Sequence, residues 1–380
     1  MSPVRPSAAR TGHLSGPFGP LSAQDRLRSG RASADPMSAQ SDNTNGVAAV
    51  GMRHRAHTRS TALTAAVLAA SMSGSLTAGC ARPDRDDSRA PQHTATPVAP
   101  PTRTPPVAAA GSPLAVKIDN VPVARPQSGL DAADVVYAEQ VEGGLSRLLA
   151  VYATRLPRTV GPVRSARESD LELLRQFDRP TLAFSGAQHK LLPLIGKAPL
   201  RAQSADEDPT AYFRAAGKAA PHNLYLRPAT LLPAAPGKAA LTTGFRYGPA
   251  PSGGRPTASR TVRYPAARFT FTWSAERHHW LIAMDDTPMA TADGAQVAPR
   301  TIVVQHVRIH DSTYHDALGS PTPYTETVGS GKAEVLRDGR SFDASWSRPK
   351  ATDGTAFTTA DGGRMNFADG QVWVVFAPAS

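Results

Sequence analysis

Before Pro113, this 380-residue chain has no segment with the regular apolar spacing that a packed core requires. From Pro113 onward, strand-length apolar runs recur almost to the end. Residues 1–51 are Ser, Ala, Pro, Gly and Arg without periodicity. They are expected to be disordered, or to lie ahead of a later start at Met52. Residues 81–112 are Pro, Ala, Thr, Arg and Asp, too poor in large apolar groups to fold, and read as a tether. The folding material is therefore expected in two parts, an N-terminal domain over 113–247 and a C-terminal domain over 259–380, with a Pro/Gly-rich linker at 248–258. No apolar run is long enough for a multi-pass membrane protein. One cysteine excludes a disulfide framework within the chain and any multi-cysteine zinc site.

That cysteine has an informative position. Arg53, Arg55 and Arg59 precede an apolar stretch from Ala62 to Leu76, about the length of a signal-peptide core. Leu76-Thr77-Ala78-Gly79-Cys80 follows and resembles a bacterial lipobox, with Thr77 where Leu is commoner. Residues 52–80 thus read as a lipoprotein signal peptide. Cleavage would leave Cys80 first in the chain and lipidated, anchoring the protein on the outer face of the cytoplasmic membrane. The remaining 34 basic and 28 acidic residues give +6, mildly attractive to anionic lipid head groups or wall polymers.

In the first part, Leu114–Ile118 reads as a strand ended by Asp119 and Asn120. Ala133–Val141 and Arg147–Ala153 read as a hairpin about Gly143-Gly144, with Val135, Tyr137, Glu139 and Val141 on one face. An ion pair from Arg147 to Glu139 or Glu142 is expected there. Ser165 and Glu168 have capping-box spacing, so a helix is expected from about Ala166, carrying Leu171, Leu174 and Phe177 and stopped by Pro180. Thr181–Phe184 follows as a strand. Arg164 and Arg167 at that helix start suggest an anion site. The alternative is that they pair with Glu139, Glu142, Glu168 or Asp170 and only hold the fold together.

Blocks in this stretch are similar to the YerB-type lipoproteins, a bacterial family of unknown function. They are Pro113–Asn120, Ala124–Asp131, Ala133–Tyr137 with Glu139, Val141–Gly144 with Arg147, Gly161–Arg167, and Ala220–Tyr225 after Arg214. Further blocks are Gly329–Val335, Ala344–Arg348 and Gly370–Phe376. Trp280-Leu281-Ile282 departs from the family's aromatic-x-Arg pattern. The resemblance implies a two-part extracytoplasmic lipoprotein and no particular activity.

The expected fold is an α+β or α/β N-terminal domain, a mixed sheet with flanking helices, followed by a mainly β C-terminal domain. There, Phe269, Phe271 and Trp273 alternate with Thr270 and Thr272, His279–Ala283 follows a turn, and Thr301–His310 alternates again. His306, Arg308 and His310 share a strand face, but residues four apart on a strand lie about 13 Å apart, too far for one metal ion. No metal or cofactor is expected. Ser185-Gly186 lacks the nucleophile-elbow pattern. His189 and His222 are candidate bases, which Asp170 or Glu139 would orient. Dispersed basic residues argue against nucleic acid. The expected ligand-binding set is Arg125, Glu139, Glu142, Arg147, Arg164, Arg167, Arg214, His222 and Asn223. Its partner would be an anionic cell-wall or lipid-phosphate ligand, or an envelope protein. Two alternatives stand beside this one. One is an envelope polymer or lipid-phosphate transferase resembling the LytR-type enzymes in its order of hairpin, Arg-bearing turn and helix. The other is a purely protein–protein interaction module.

Overall fold

The computed structural model describes residues 111–316 and 319–379. The expectations for Cys80 and for residues 1–110 lie outside them. The first half contains β1 (Leu114–Asp119), β2 (Val135–Gln140), β3 (Ser146–Tyr152), α1 (Glu168–Leu174), β4 (Thr181–Phe184), α2 (Leu192–Lys197), β5 (Arg201–Ser204), β6 (Tyr212–Arg214), β7 (Leu224–Leu226) and α3 (Pro228–Leu231). The second half contains β8 (Arg255–Pro256), β9 (Ser259–Tyr264), β10 (Ala267–Ser274), β11 (His279–Met284), β12 (Thr287–Pro288), β13 (Thr301–Val307) and β14 (Ile309–His315). It continues with β15 (Pro321–Thr325), β16 (Gly329–Arg337), β17 (Arg340–Arg348), β18 (Ala356–Thr359) and β19 (Val372–Pro378).

One large mixed sheet runs through both halves, in the order β18-β17-β16-β13-β19-β2-β3-β1-β4-β5, with β8 against β17. β19 joins the halves: it lies parallel to β13 on one side and parallel to β2 on the other. A four-stranded antiparallel sheet, β12-β11-β10-β9, packs on one face. It brings Phe269, Phe271, Trp280 and Ile282 against Val136, Ala138, Leu148 and Trp373. The opposite face buries Tyr137, Leu149 and Val374 with Leu173, Leu174 and Phe177 from in and around α1. Strict alternation along β2 and β3 sends successive residues into these two cores.

The expected strands at 133–141, 147–153, 181–184, 269–273 and 279–283 are all present. In the β2–β3 turn Gly143 and Gly144 both have positive φ, and a Cβ on Gly144 would fall 2.5 Å from Pro265, so the turn needs both its conformation and its bareness.

Several expectations change. The fold is mostly β. The flanking helices reduce to α1, α2 and α3, of 7, 6 and 4 residues. Prolines set these limits: Pro193 and Pro228 sit in the first turns of α2 and α3, and Pro180, Pro199 and Pro233 follow the three helices. Helix α1 starts at Glu168 with Arg167 as N-cap, not near Ala166. Arg164 and Ala166 are held extended, their amides donating to Lys117 O and Gly186 O. Asp170 then closes the helix start by accepting from Arg167 N at 2.7 Å. The run Thr301–His310 is two strands. β13 pairs with β19 as far as Val307, and Ile309 turns into a separate hairpin of β14 with β15. The 248–258 segment, expected as a linker, contains β8, and Arg340 donates to the carbonyls of Gly253 and Gly254.

Candidate functional site: an arginine cleft at the sheet end

At one end of β1, β2 and β3, the face that elsewhere packs on α1 turns from apolar to charged. Along β1 the sequence Ala115, Lys117, Asp119 stays on that face. Glu139 is its continuation on β2, and Arg147 on β3. Register places Arg147 between Asp119 and Glu139. The extended segment 161–167 crosses above, through Asp119 N→Pro162 O and Arg164 N→Lys117 O, each 2.8 Å. It delivers Arg164 and Arg167 over the same strand ends.

The expected Arg147–glutamate pair does not form. Lys117, fully buried, takes Glu139 at 2.9 Å and Asp170 at 2.6 Å. Burial, partly offset by Lys117 and reinforced by Asp170, pushes the Glu139 carboxyl up to about 7. Arg167 takes Glu142 with two hydrogen bonds, 2.6 and 2.8 Å, and Thr322 Oγ1 donates to the same carboxylate at 2.6 Å. Burial works to raise the Glu142 pKa, but Arg167 and Thr322 outweigh it and bring the group down to about 2. Arg167 is thus committed to a structural pair. Arg164 Nε lies 3.2 Å from Asp119 Oδ2, and His222 Nδ1 lies 2.8 Å from the same oxygen.

Arg147 is left without a carboxylate. Among the described residues its only hydrogen bond is Nη1→Ser165 O at 3.3 Å, and it makes no ion pair. Desolvation, then the charges of Arg167 and Arg164, lower its pKa to about 9, so it stays cationic at neutral pH. Arg147, Arg164 and Arg167 line one cleft of about 860 Å³. Its other walls include Val121 and Leu145, Leu191 beside α2, Tyr314 and Thr322 from the β14–β15 hairpin, and the carboxylates of Glu142, Glu168 and Asp316. A larger groove of about 1220 Å³ lies along β13, β16 and β17. There each arginine is already paired: Arg255 with Asp343, Arg260 with Glu334, and Arg308 with Glu326. That groove also carries Lys332, exposed to solvent; the smaller cleft is the one that holds a half-buried guanidinium, Arg147, without a carboxylate partner among the described residues.

The structure therefore gathers Glu139, Glu142, Arg147, Arg164, Arg167 and His222 at one end of the sheet. It places the other expected residues elsewhere. Arg125 is bound to Asp285 and to Asn120 O, each at 2.8 Å, tying the first half to the β11–β12 turn. Arg214 is exposed and donates to Asn223 Oδ1 at 2.7 Å. Sequence reasoning missed Lys117 and Asp119. Their signal was available: charged residues at alternate positions of an otherwise apolar strand.

Comparison with known proteins fits this layout. The family model described as "Protein of unknown function (DUF3048) N-terminal domain" matches residues 101–242, and that for the C-terminal domain of the same family matches 260–374. The chain belongs to the DUF3048 family. "Putative lipoprotein YerB" of Bacillus subtilis (strain 168) is 27% identical over 278 residues, 70% of this chain and 81% of that protein. The crystal structure of the YerB protein from Bacillus subtilis superposes with a TM-score of 0.59 at 23% identity, covering 70% of this chain and 91% of that one. The DUF3048 fold is thus shared with that structure. Arg147 and the Gly161–Arg167 segment both fall within the matched N-terminal region.

Proposed function

We propose that this chain is a lipid-anchored extracytoplasmic lipoprotein that binds an anionic, phosphate-bearing envelope ligand in the arginine cleft. The observation that carries the reading is Arg147, a guanidinium without a carboxylate partner, beside Arg164, whose one carboxylate is shared with His222. A desolvated cation left unpaired costs stability unless something else pairs with it, and an anion entering the cleft would do so. The apolar walls at Val121, Leu145 and Leu191 suit a ligand with a nonpolar portion, such as a polyprenyl phosphate. The anchor is supported by the lipobox-like residues before Cys80 and by the lipoprotein name of the Bacillus subtilis relative.

Thermal unfolding of the full chain in detergent tests the cleft. Inorganic phosphate or polyprenyl phosphate should raise the melting temperature, by about 2.7 kcal/mol of stabilisation at a hundredfold excess over Kd. Arg147→Ala should remove that gain. No shift with either probe would sink the reading. Cys80→Ala should release the protein from membranes; unchanged attachment would disprove the anchor.

A further inference from the structure

Asp119 Oδ2 is the meeting point of two basic side chains. His222 Nδ1 is 2.8 Å from it and Arg164 Nε 3.2 Å, so the two distances cap the separation of those nitrogens at 6.0 Å. The Asp119 side chain is 1% exposed, while those of His222 and Arg164 each retain 24%. An ionised carboxylate only accepts, so the Asp119 bond puts the ring proton of neutral His222 on Nδ1. That leaves a lone pair on Nε2. Neither Nε2 nor the Arg164 Nη groups make a hydrogen bond among the described residues. The carboxylate thus holds two side chains by their inner nitrogens and leaves their outer nitrogens open, the arrangement of an oriented base beside an anion clamp.

We infer that Asp119 and His222 form an acid–base dyad serving a tetrahedral dianion, such as a phosphate monoester, held by Arg164. The inference rests on the anion reading of the cleft, because Arg164 belongs to both. On binding, His222 Nε2 takes one proton from solvent and donates it in a hydrogen bond to a ligand oxygen. No covalent bond changes. The dianion supplies the negative charge that favours the imidazolium. The other ionisable groups at this point are Asp119 from β1 and Arg164 from the crossing segment, while Tyr225 from β7 meets Lys218. The loop between β6 and β7 adds Lys218, whose ammonium is tied to Ala124 O and Pro126 O, and Arg214 lies across from Asn223. Asp119 is a positioning residue. His222 is the group that meets the ligand.

Isothermal titration calorimetry of the full chain in detergent with sodium sulfate, at pH 7.5, tests the assignment. Sulfate carries no proton of its own, so a binding heat that changes between buffers of different ionisation enthalpy reports protons taken up by the protein. We expect such uptake, approaching one proton per site. We expect His222→Gln to abolish it and to weaken sulfate binding about tenfold, while unfolding of the variant without ligand stays like that of the parent. Inorganic phosphate should bind the same site competitively. If sulfate binds His222→Gln with the parent's affinity and the parent's buffer dependence, the dyad assignment is overturned and the cleft reading survives. If neither sulfate nor phosphate binds the parent chain, both readings fall together.

Discussion

At the scale of single residues, two arginines 20 residues apart in the chain have opposite fates. Arg167 is 12% exposed and doubly bonded to Glu142. Arg167→Ala should destabilise by about 3 kcal/mol, because it strands a buried carboxylate. Arg147→Ala strands no carboxylate and removes an unpaired desolvated cation, so the free variant should unfold no earlier than the parent; denaturant titration of the two variants separates them. The buried carboxyls also set opposing pH limbs. Glu139 is held up to about 7, so between about 4.5 and 7 the folded state keeps a proton that the unfolded state has lost, and stability falls as pH rises through that window. Glu142 is held down to about 2, so its contribution is present above about 4.5 and is lost as pH falls toward 2. Glu139→Gln should flatten the first limb and Glu142→Gln the second, in stability measured against pH.

At the scale of elements, α1 is a seven-residue helix supported by its neighbours rather than by its own length. Glu172 accepts from Tyr324 Oη, from Thr327 N and Oγ1, and from Val328 N. At the helix end Arg348, fully buried, donates to Glu172 O, Leu173 O, Ala351 O and Asp353 O. Arg348→Met keeps the bulk and strands these carbonyls, and should cost on the order of 3–5 kcal/mol in a denaturant titration. A loss under 1 kcal/mol would show that water replaces the guanidinium there. This support explains what was legible in the sequence. The alternation of β2, β3 and β10 is local, set by residues such as Val135–Tyr137 and Phe269–Trp273, so it is legible in the sequence. The capping-box spacing of Ser165 and Glu168 points two residues too early, because the same spacing recurs at Arg167 and Asp170, which cap the helix. What decided between them was the pairing of Arg164 and Ala166 with distant backbone. Alternation with Lys117 marks Asp119 as part of the charged face, but its partners lie 45 and 103 residues away, and no periodicity identifies them.

At the scale of the whole molecule, the two sequence halves complete one sheet. β19 carries Trp373, fully buried against the core that the first half shares with β10 and β11, and Tyr264 Oη donates to Ala138 O and Phe376 O, joining all three parts. Deleting 372–378 should therefore unfold the first half as well as the second. Size-exclusion chromatography and circular dichroism of the truncated chain check this; a native-like first half would contradict it. Limited proteolysis should also fail to separate the halves at 248–258. Gly254 lies against Phe342 so closely that a Cβ would fall 2.5 Å from its ring, and the segment is fastened by β8 and Arg340.

The place of β19 in the chain bears on the export proposed for this protein. Both neighbours of this strand are synthesised long before it, so until it emerges β2 presents an open edge and the large sheet cannot close. A chain that we read as exported must stay threadable through a narrow conduit while it is being made. A closing strand made after both its neighbours supplies that delay from topology alone, and moving it to the front by circular permutation should trap the precursor inside the cell.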